Sequence, residues 1–367
     1  MTLTNYWWLL IWIFIGGLLT SLVPKRQELI NGRIEERWKP IPAYILMLPF
    51  IIWAGFRTDS VVGDTANYRA AFKEAPEIIS QIPIYLESIT KDKGFYFFTA
   101  IIKNFTSNSV IYFLIIAVFQ LSVLVWLYRR YSCNYWLSIF LVIASTDYMS
   151  WAQNGLRQFM AITICLLATP FVLKRKYFPA ILIILFAATM HQSALIMLPI
   201  IFIVQGKPWN KRTIVFILAA FAAIIFVNEF TNWLDYVMQE TQYANMVTDW
   251  TEWEDDGTNP LRVLVYSMPM IISIIGLRFI RENNDPMIDL CVNMSIITSG
   301  LYLVSMMTSG IFIGRLPAYC SFYSGILLPW EIENFFTNDS KKLVMIVTVI
   351  LYCAFFYYQM HFGWEIL

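Results

Sequence analysis

The sequence predicts an all-α integral membrane protein: a polytopic helical bundle of about ten spans, plus one broken or returning helix pair and two larger extracytoplasmic loops. Three observations carry this expectation. Of 367 residues, 58% are hydrophobic and only 14% are charged, the mean hydropathy is +0.59, and apolar runs of membrane length recur along the chain. A soluble domain is roughly 45–50% apolar and about 25% charged, so a water-soluble enzyme is excluded. Lys plus Arg (26) and Asp plus Glu (25) nearly cancel, so no net basic charge points to nucleic acid.

The first run, Tyr6 to Val23, leads into Pro24 to Pro40 without a small-residue cleavage site and reads as a retained helix rather than a signal peptide. Further spans are expected at Ile41 to Phe56, Val110 to Tyr128, Tyr135 to Ser150, Leu156 to Leu173, Thr213 to Glu229, Leu261 to Phe279, Ile288 to Ser309, Leu316 to Glu333 and Leu343 to Phe362. The stretch Phe178 to Val204 is long for one helix, and its middle reads Thr189-Met190-His191-Gln192-Ser193. It is either one tilted span or two short helices that descend and return. A break at membrane depth is tolerated only where protein or a water-filled cavity surrounds it.

Lys and Arg accumulate in cytoplasmic loops, so charge discriminates between the two arrangements. With a returning pair and the N-terminus outside, Lys25, Arg26, Arg33, Arg37, Lys39, Arg129, Arg130, Lys174, Arg175, Lys176, Lys207, Lys211, Arg212, Arg278, Arg281, Lys341 and Lys342 all lie inside. The segment from Phe230 to Pro260, which has seven acidic residues and no Lys or Arg, then lies outside. A single crossing would reverse both biases, so the returning pair is preferred. The chain, residues 1–367, then forms one polytopic domain with outer loops at 57–109 and 230–260, the first containing a short amphipathic helix around Phe95 to Phe105. The five Cys sit scattered in apolar runs without CxxC spacing and read as core residues.

Ionisable groups beside membrane helices are costly and mark functional candidates. In this topology Arg57, Asp64, Arg157, His191 and Arg315 all fall at the outer ends of helices. Three outward arginines suit an anion, because guanidinium groups hold phosphate oxygens through paired donors and stay charged. A lipid-linked pyrophosphate is the natural ligand, since a bulk anion needs no membrane. The cluster Glu252-Trp253-Glu254-Asp255-Asp256 suits sugar hydroxyls and aromatic stacking, or a solvated acidic loop. A metal site is not expected, because the only histidines are His191 and His361. No P-loop, GxGxxG or GxSxG occurs.

The ordered set Phe56-Arg57, Gly63-Asp64, Asn67-Tyr68, Phe72, Lys93-Gly94-Phe95, Gly155-Leu156-Arg157-Gln158, His191-Gln192-Ser193-Ala194-Leu195 and Arg315 resembles the EpsG family of Wzy-like polymerases of exopolysaccharide, capsule and O-antigen. Two positions depart from the family pattern: Lys93 stands where an acidic residue is common before the glycine, and Gln192 where proline often follows the histidine. The resemblance implies a metal-independent, inverting glycosyl transfer at the outer face of a bacterial cytoplasmic membrane, without cofactor. Its substrate would be undecaprenyl-pyrophosphate-linked oligosaccharide, moved en bloc onto the next lipid-linked repeat, with a chain-length regulator and a flippase as partners. Arg57, Arg157 and Arg315 would hold the pyrophosphate, and Asp64 or His191 would take the acceptor proton. Tyr68, Gln158, Glu252 and Trp253 would seat the acceptor sugar. Competing expectations are an O-antigen ligase, an acyltransferase and a lipid-linked oligosaccharide flippase. A flippase would need cationic residues through the whole bilayer depth, and here they cluster at one face.

Overall fold

A computed structural model describes residues 5–30, 33–58, 63–238 and 257–365. The helices are α1 (Tyr6–Ser21), α2 (Pro40–Gly55), α3 (Thr65–Glu74), α4 (Ile82–Ser88), α5 (Lys93–Phe105), α6 (Ser109–Tyr131), α7 (Tyr135–Ala144), α8 (Asp147–Gln153), α9 (Leu156–Leu166) and α10 (Thr169–Leu173). They continue with α11 (Tyr177–Met190), α12 (Met197–Ile203), α13 (Lys211–Ile225), α14 (Val227–Met238), α15 (Pro260–Ile275), α16 (Leu277–Asn283), α17 (Pro286–Met306), α18 (Ala318–Ser321), α19 (Ser324–Phe335) and α20 (Asn338–Tyr358). One departure from an all-helical chain is a hairpin of β1 (Arg26–Ile30) and β2 (Arg33–Arg37), paired antiparallel from Arg26 opposite Arg37.

Four stretches are long and apolar enough to cross a membrane: Ser109–Tyr131, Leu156–Leu173, Pro286–Met306 and Asn338–Gly363. Three of the four starts are capped by side chains, as their sequences dictate, and the fourth begins at Gly155 without one. Asn108 accepts from the Val110 N–H, Asp285 accepts from the Met287 N–H with Pro286 in the first turn, and Thr337 accepts from the Ser340 N–H. Several other expected spans are bent or broken. The α13 and α14 axes meet at 104° and those of α15 and α16 at 73°. Thr146, in the left-handed region at φ 62°, separates α7 from α8 within the expected span Tyr135 to Ser150. Leu316 to Glu333, expected as one helix, restarts at Ser324 after tight turns in which the N–H groups of Tyr323 and Gly325 reach back three residues.

At Phe178 to Val204 the chain folds back. As one helix it would separate Tyr177 from Phe202 by roughly 37 Å, yet their rings stack at 4.7 Å. The Gln205 side chain also donates to the Val172 carbonyl at 3.3 Å. Residues His191 to Ile196, a 3-10 turn preceded by the histidine, form the tip between α11 and α12.

The chain divides into two compact units: Met1–Phe171, Phe178–Leu195 and Thr337–Leu367 in the first, and Val172–Tyr177 with Ile196–Phe336 in the second. In the first unit α1, α2, α6, α7 and α9 pack together with α20. Tyr6 is fully buried there, donating to the Ile143 carbonyl and stacked on Phe356 at 5.7 Å. In the second, α17 is the central helix, flanked by α13, α15 and α19.

Candidate functional site

Arg157 stands in the first turn of α9, and the segment leading to it is held from three sides within the first unit. Gly63, at φ 119°, passes so close that a Cβ there would lie 3.2 Å from the Gln153 carbonyl oxygen. Two residues on, the Thr65 hydroxyl donates to the Gln153 side-chain oxygen at 2.9 Å. From α6, Gln120 donates to the Leu156 carbonyl at 3.3 Å.

Arg57 supplies the third hold. Only 3% exposed, it donates to the carbonyls of Ala54 and Ala152 and lies 4.2 Å from the centre of the Phe113 ring. Behind it, Arg69 donates to the Arg57 carbonyl at 3.0 Å and to the Ser109 hydroxyl. Arg57 is thus turned inward with backbone carbonyls as its partners. It joins the end of α2 to α8.

Arg157 itself reaches outward from this framework. Its Nη1 donates to Asp92 Oδ2 at 2.8 Å, with the Asp92 side chain 1% exposed and the Arg157 side chain 21% exposed. The other carboxylate oxygen, Oδ1, accepts the Gln192 backbone N–H at 3.2 Å. Beside it, His191 Nδ1 and the Ser193 hydroxyl are 2.7 Å apart. One carboxylate therefore ties the first turn of α9 to the break between α11 and α12 with charge-assisted bonds. Asp92 occupies the left-handed region (φ 54°), which Asp tolerates better than most residues, and its carbonyl accepts the Phe95 N–H at the start of α5.

The same end of α5 touches α11. A Cβ at Gly94 would fall 2.2 Å from Thr189 Oγ1 and 2.9 Å from the Thr189 backbone carbon, so only glycine lets the two helix ends meet. Aromatic rings line the approach. The Tyr96 ring centre lies 5.9 Å from the Arg157 guanidinium carbon, and Tyr68 meets Phe95 edge-on at 6.0 Å. Tyr68 also hydrogen-bonds with Arg157. Burial raises the Tyr68 phenol above its ordinary pKa, Arg157 opposes the rise and Asp64 adds to it. It remains a protonated donor at neutral pH.

Burial also raises the pKa of Asp92, against the pull of Arg157 and the Gln192 N–H. The folded value lies above the unfolded one, so this group's stabilising contribution is fully present below the ordinary carboxylate value. It is lost as pH rises through the folded value. The pairing with Arg157 is made by the ionised carboxylate, so an activity that relies on it and this contribution to stability are expected to move in opposite directions in that window. Paired activity and thermal-unfolding measurements from pH 4 to 7, each referenced to Asp92→Asn, check this. Parallel changes would refute it.

The structure gathers four of the sequence candidates: Asp64, Tyr68, Arg157 and His191. Asp64 lies at the entry to α3, with the Asn67 side chain at 3.5 Å. Gln158, expected to touch the acceptor, is only 3% exposed and faces the helix bundle. Arg315 belongs to the second unit, in the 3-10 turn Ile313–Arg315, where the Gly314 N–H donates to the Ser309 carbonyl at 3.0 Å. Glu252 and Trp253 lie outside the described residues. Among the described residues no three His, Cys, Asp or Glu side chains converge as metal ligands would. Asp92 and Tyr96 were not among the sequence candidates, and Ser193 entered only as part of the motif His191-Gln192-Ser193-Ala194-Leu195. The one available signal was an acid standing one position earlier than the family pattern places it, in Lys91-Asp92-Lys93-Gly94.

No curated protein and no solved structure matches the chain. A family model does, over residues 41–363, which takes in α2 but for its first residue and every helix from α3 to α20. With nearly the whole sequence matched, this multi-pass membrane protein belongs to the EpsG family, a family of Wzy-like polysaccharide polymerases.

Proposed function

We propose that this chain polymerises oligosaccharide repeat units carried on undecaprenyl pyrophosphate, transferring the growing chain en bloc to the next lipid-linked repeat at the outer face of the cytoplasmic membrane. Family membership supports a polysaccharide polymerase in general. The observation that carries the finer reading is the link from Arg157 through Asp92 to the His191 segment. A phosphate-binding cation and a proton-accepting side chain are held together by a single buried carboxylate, in a protein built of apolar helices.

In this scheme the donor pyrophosphate lies against Arg157 and the Tyr68 hydroxyl. The bond between the anomeric carbon and the pyrophosphate oxygen breaks, and a bond from that carbon to an acceptor hydroxyl oxygen forms. The leaving pyrophosphate takes the bonding electron pair. Arg157 stabilises that developing charge without needing a metal, and such preorganised donors are worth roughly 10²–10³ in rate. The acceptor proton passes to His191, whose ring is fixed by Ser193 through Nδ1. Attack from the face opposite the leaving group inverts the anomeric centre. Asp64, one helical turn before Tyr68, faces the acceptor.

The test is incubation of purified protein with its lipid-linked repeat unit, without nucleotide or added metal, followed by gel separation. A ladder spaced by one repeat is expected, and Arg157→Ala should reduce it about a hundredfold at equal protein level. A single addition onto a lipid A core acceptor, with no ladder, would make the protein a ligase and sink the proposal. Normal ladders from Arg157→Ala would remove the arginine from the chemistry. Arg315→Ala in the same assay reports on that residue separately.

A further inference from the structure

The stretch Thr213 to Glu229, expected as one span, is broken within the second unit: α13 ends at Ile225 and α14 leaves it at 104°. Spans tilt by about 20° from the bilayer normal, so a helix at that angle to one lies close to the membrane plane. On α13, Leu218, Phe221 and Ile225 form an exposed apolar stripe at helical spacing, the mark of a lipid-facing helix. Lys211 and Arg212 stand at its start.

Around its own axis α14 presents three different flanks. Successive residues turn by about 100°, which gathers Phe230, Thr231, Leu234 and Asp235 on one side. That side packs inward: Phe230 and Leu234 lie against Ala220, Val304, Phe312 and Ile313, and Thr231 and Asp235 are buried. On the second flank Asn228 and Asn232 are exposed. On the third, Trp233 is 59% and Val237 is 54% exposed. Glu229 and Tyr236 are exposed between the second flank and the third.

No uniform surrounding suits this pattern. A helix submerged in lipid would turn two amides and a carboxylate toward hydrocarbon, which is costly. One wholly in water would leave Trp233 and Val237 bare beside the lipid-facing stripe of α13. A protein partner fits the third flank poorly, because a stable interface buries about 800 Å² per partner and this flank is two side chains. Anionic lipid is not what draws the helix either, since α14 holds no Lys or Arg.

We propose that α14 lies in the membrane–water interface as an in-plane anchor, at the end of α13 remote from Lys211 and Arg212. Trp233 and Val237 enter the acyl chains, Glu229 and Tyr236 meet the headgroups, and Asn228 and Asn232 face water. On its protein side α14 abuts Phe312 and Ile313, so the turn Ile313–Arg315 is held at the same level. The partner is the lipid surface itself, and the proposal is independent of the transfer reaction.

Photocross-linking of the full chain in phosphatidylcholine nanodiscs tests this. The photoreactive residue p-benzoylphenylalanine is placed at 228, 232, 233 or 237, one per protein, and intact mass spectrometry reads the products after irradiation. All four positions are exposed, so the probe displaces no packed side chain. Phospholipid adducts are expected from 233 and 237 and should be lost at 228 and 232. Because the contact is apolar, their yield should not change between low salt and about 1 M salt. Adducts from all four positions would show a submerged helix, and adducts from none a helix clear of the bilayer. A cross-link from 233 to a second copy of the chain would show a protein interface. Each of these results would overturn the proposal, as would a yield at 233 and 237 that falls with salt.

Discussion

Asp92→Ala is expected to abolish polymerisation and to destabilise the protein in the same step. The substitution strips the Arg157 guanidinium of its Asp92 carboxylate partner and leaves the Gln192 N–H without its acceptor. Removing one member of a buried pair costs about 3–5 kcal/mol, and the 21% exposure of Arg157 brings the expectation down to roughly 2–3 kcal/mol. The catalytic loss should be larger than the stability loss explains, because the His191 segment loses its tie to α9. Asp92→Asn keeps the shape but sets an amide against two donors, and should also be inactive. Thermal unfolding in detergent and the ladder assay measure the two effects separately. Arg157→Ala made on top of Asp92→Ala should add little to the stability loss, since each single change already removes the shared interaction. Additive losses, or a ladder of wild-type intensity from Asp92→Asn, would disprove the coupling.

The second large effect belongs to Gly94. An added Cβ would sit 2.2 Å from Thr189 Oγ1 and 2.6 Å from Thr189 Cβ, well inside contact distance, with backbone 2.9 Å away. Gly94→Ala must therefore push the start of α5 from the end of α11, at a cost of about 1–3 kcal/mol. Asp92 lies two residues before Gly94 and His191 two residues after Thr189, so the displacement falls on the Asp92–Gln192 bond. We expect activity to drop at least tenfold with membrane insertion unchanged. Thr189→Gly in the Gly94→Ala background should restore part of it by clearing both side-chain contacts. If Gly94→Ala were fully active, the close approach would have no bearing on catalysis.

The helical membrane class was legible because hydropathy reports on the solvent around a helix, and the long runs at Ser109–Tyr131 and Pro286–Met306 carry it with little ambiguity. Breaks were less legible. The Thr146 turn falls on Ser145-Thr146-Asp147, a polar triplet that a continuous helix facing a bundle interior could also carry, and the restart at Ser324 follows residues of the same mixed character as its neighbours. His191 stood out because it is a polar interruption in an apolar stretch, and the fold-back there follows the charge on either side. Asp92 did not stand out. It lies between Lys91 and Lys93 in a stretch that reads as a solvated loop, and its partner Arg157 is 65 residues away. Arg57 poses the opposite difficulty: a guanidinium at a helix end looks the same in sequence whether it meets a ligand or two backbone carbonyls.

The fold-back of α11 also sets a depth. Its 14 residues rise about 21 Å, whereas the hydrocarbon core is about 30 Å thick. A helix of that length starting at one boundary of the hydrocarbon core would end roughly 10 Å short of the other, and the histidine follows its last residue. Under the proposed reaction, a sugar donor anchored by its lipid tail would meet the histidine at that depth, and bulk water would reach it only along the acceptor's path. A short hairpin is then a selectivity device. In the proposed reaction it would favour an incoming sugar hydroxyl over hydrolysis, so that the energy stored in each lipid-linked unit would go into chain growth and not into free oligosaccharide.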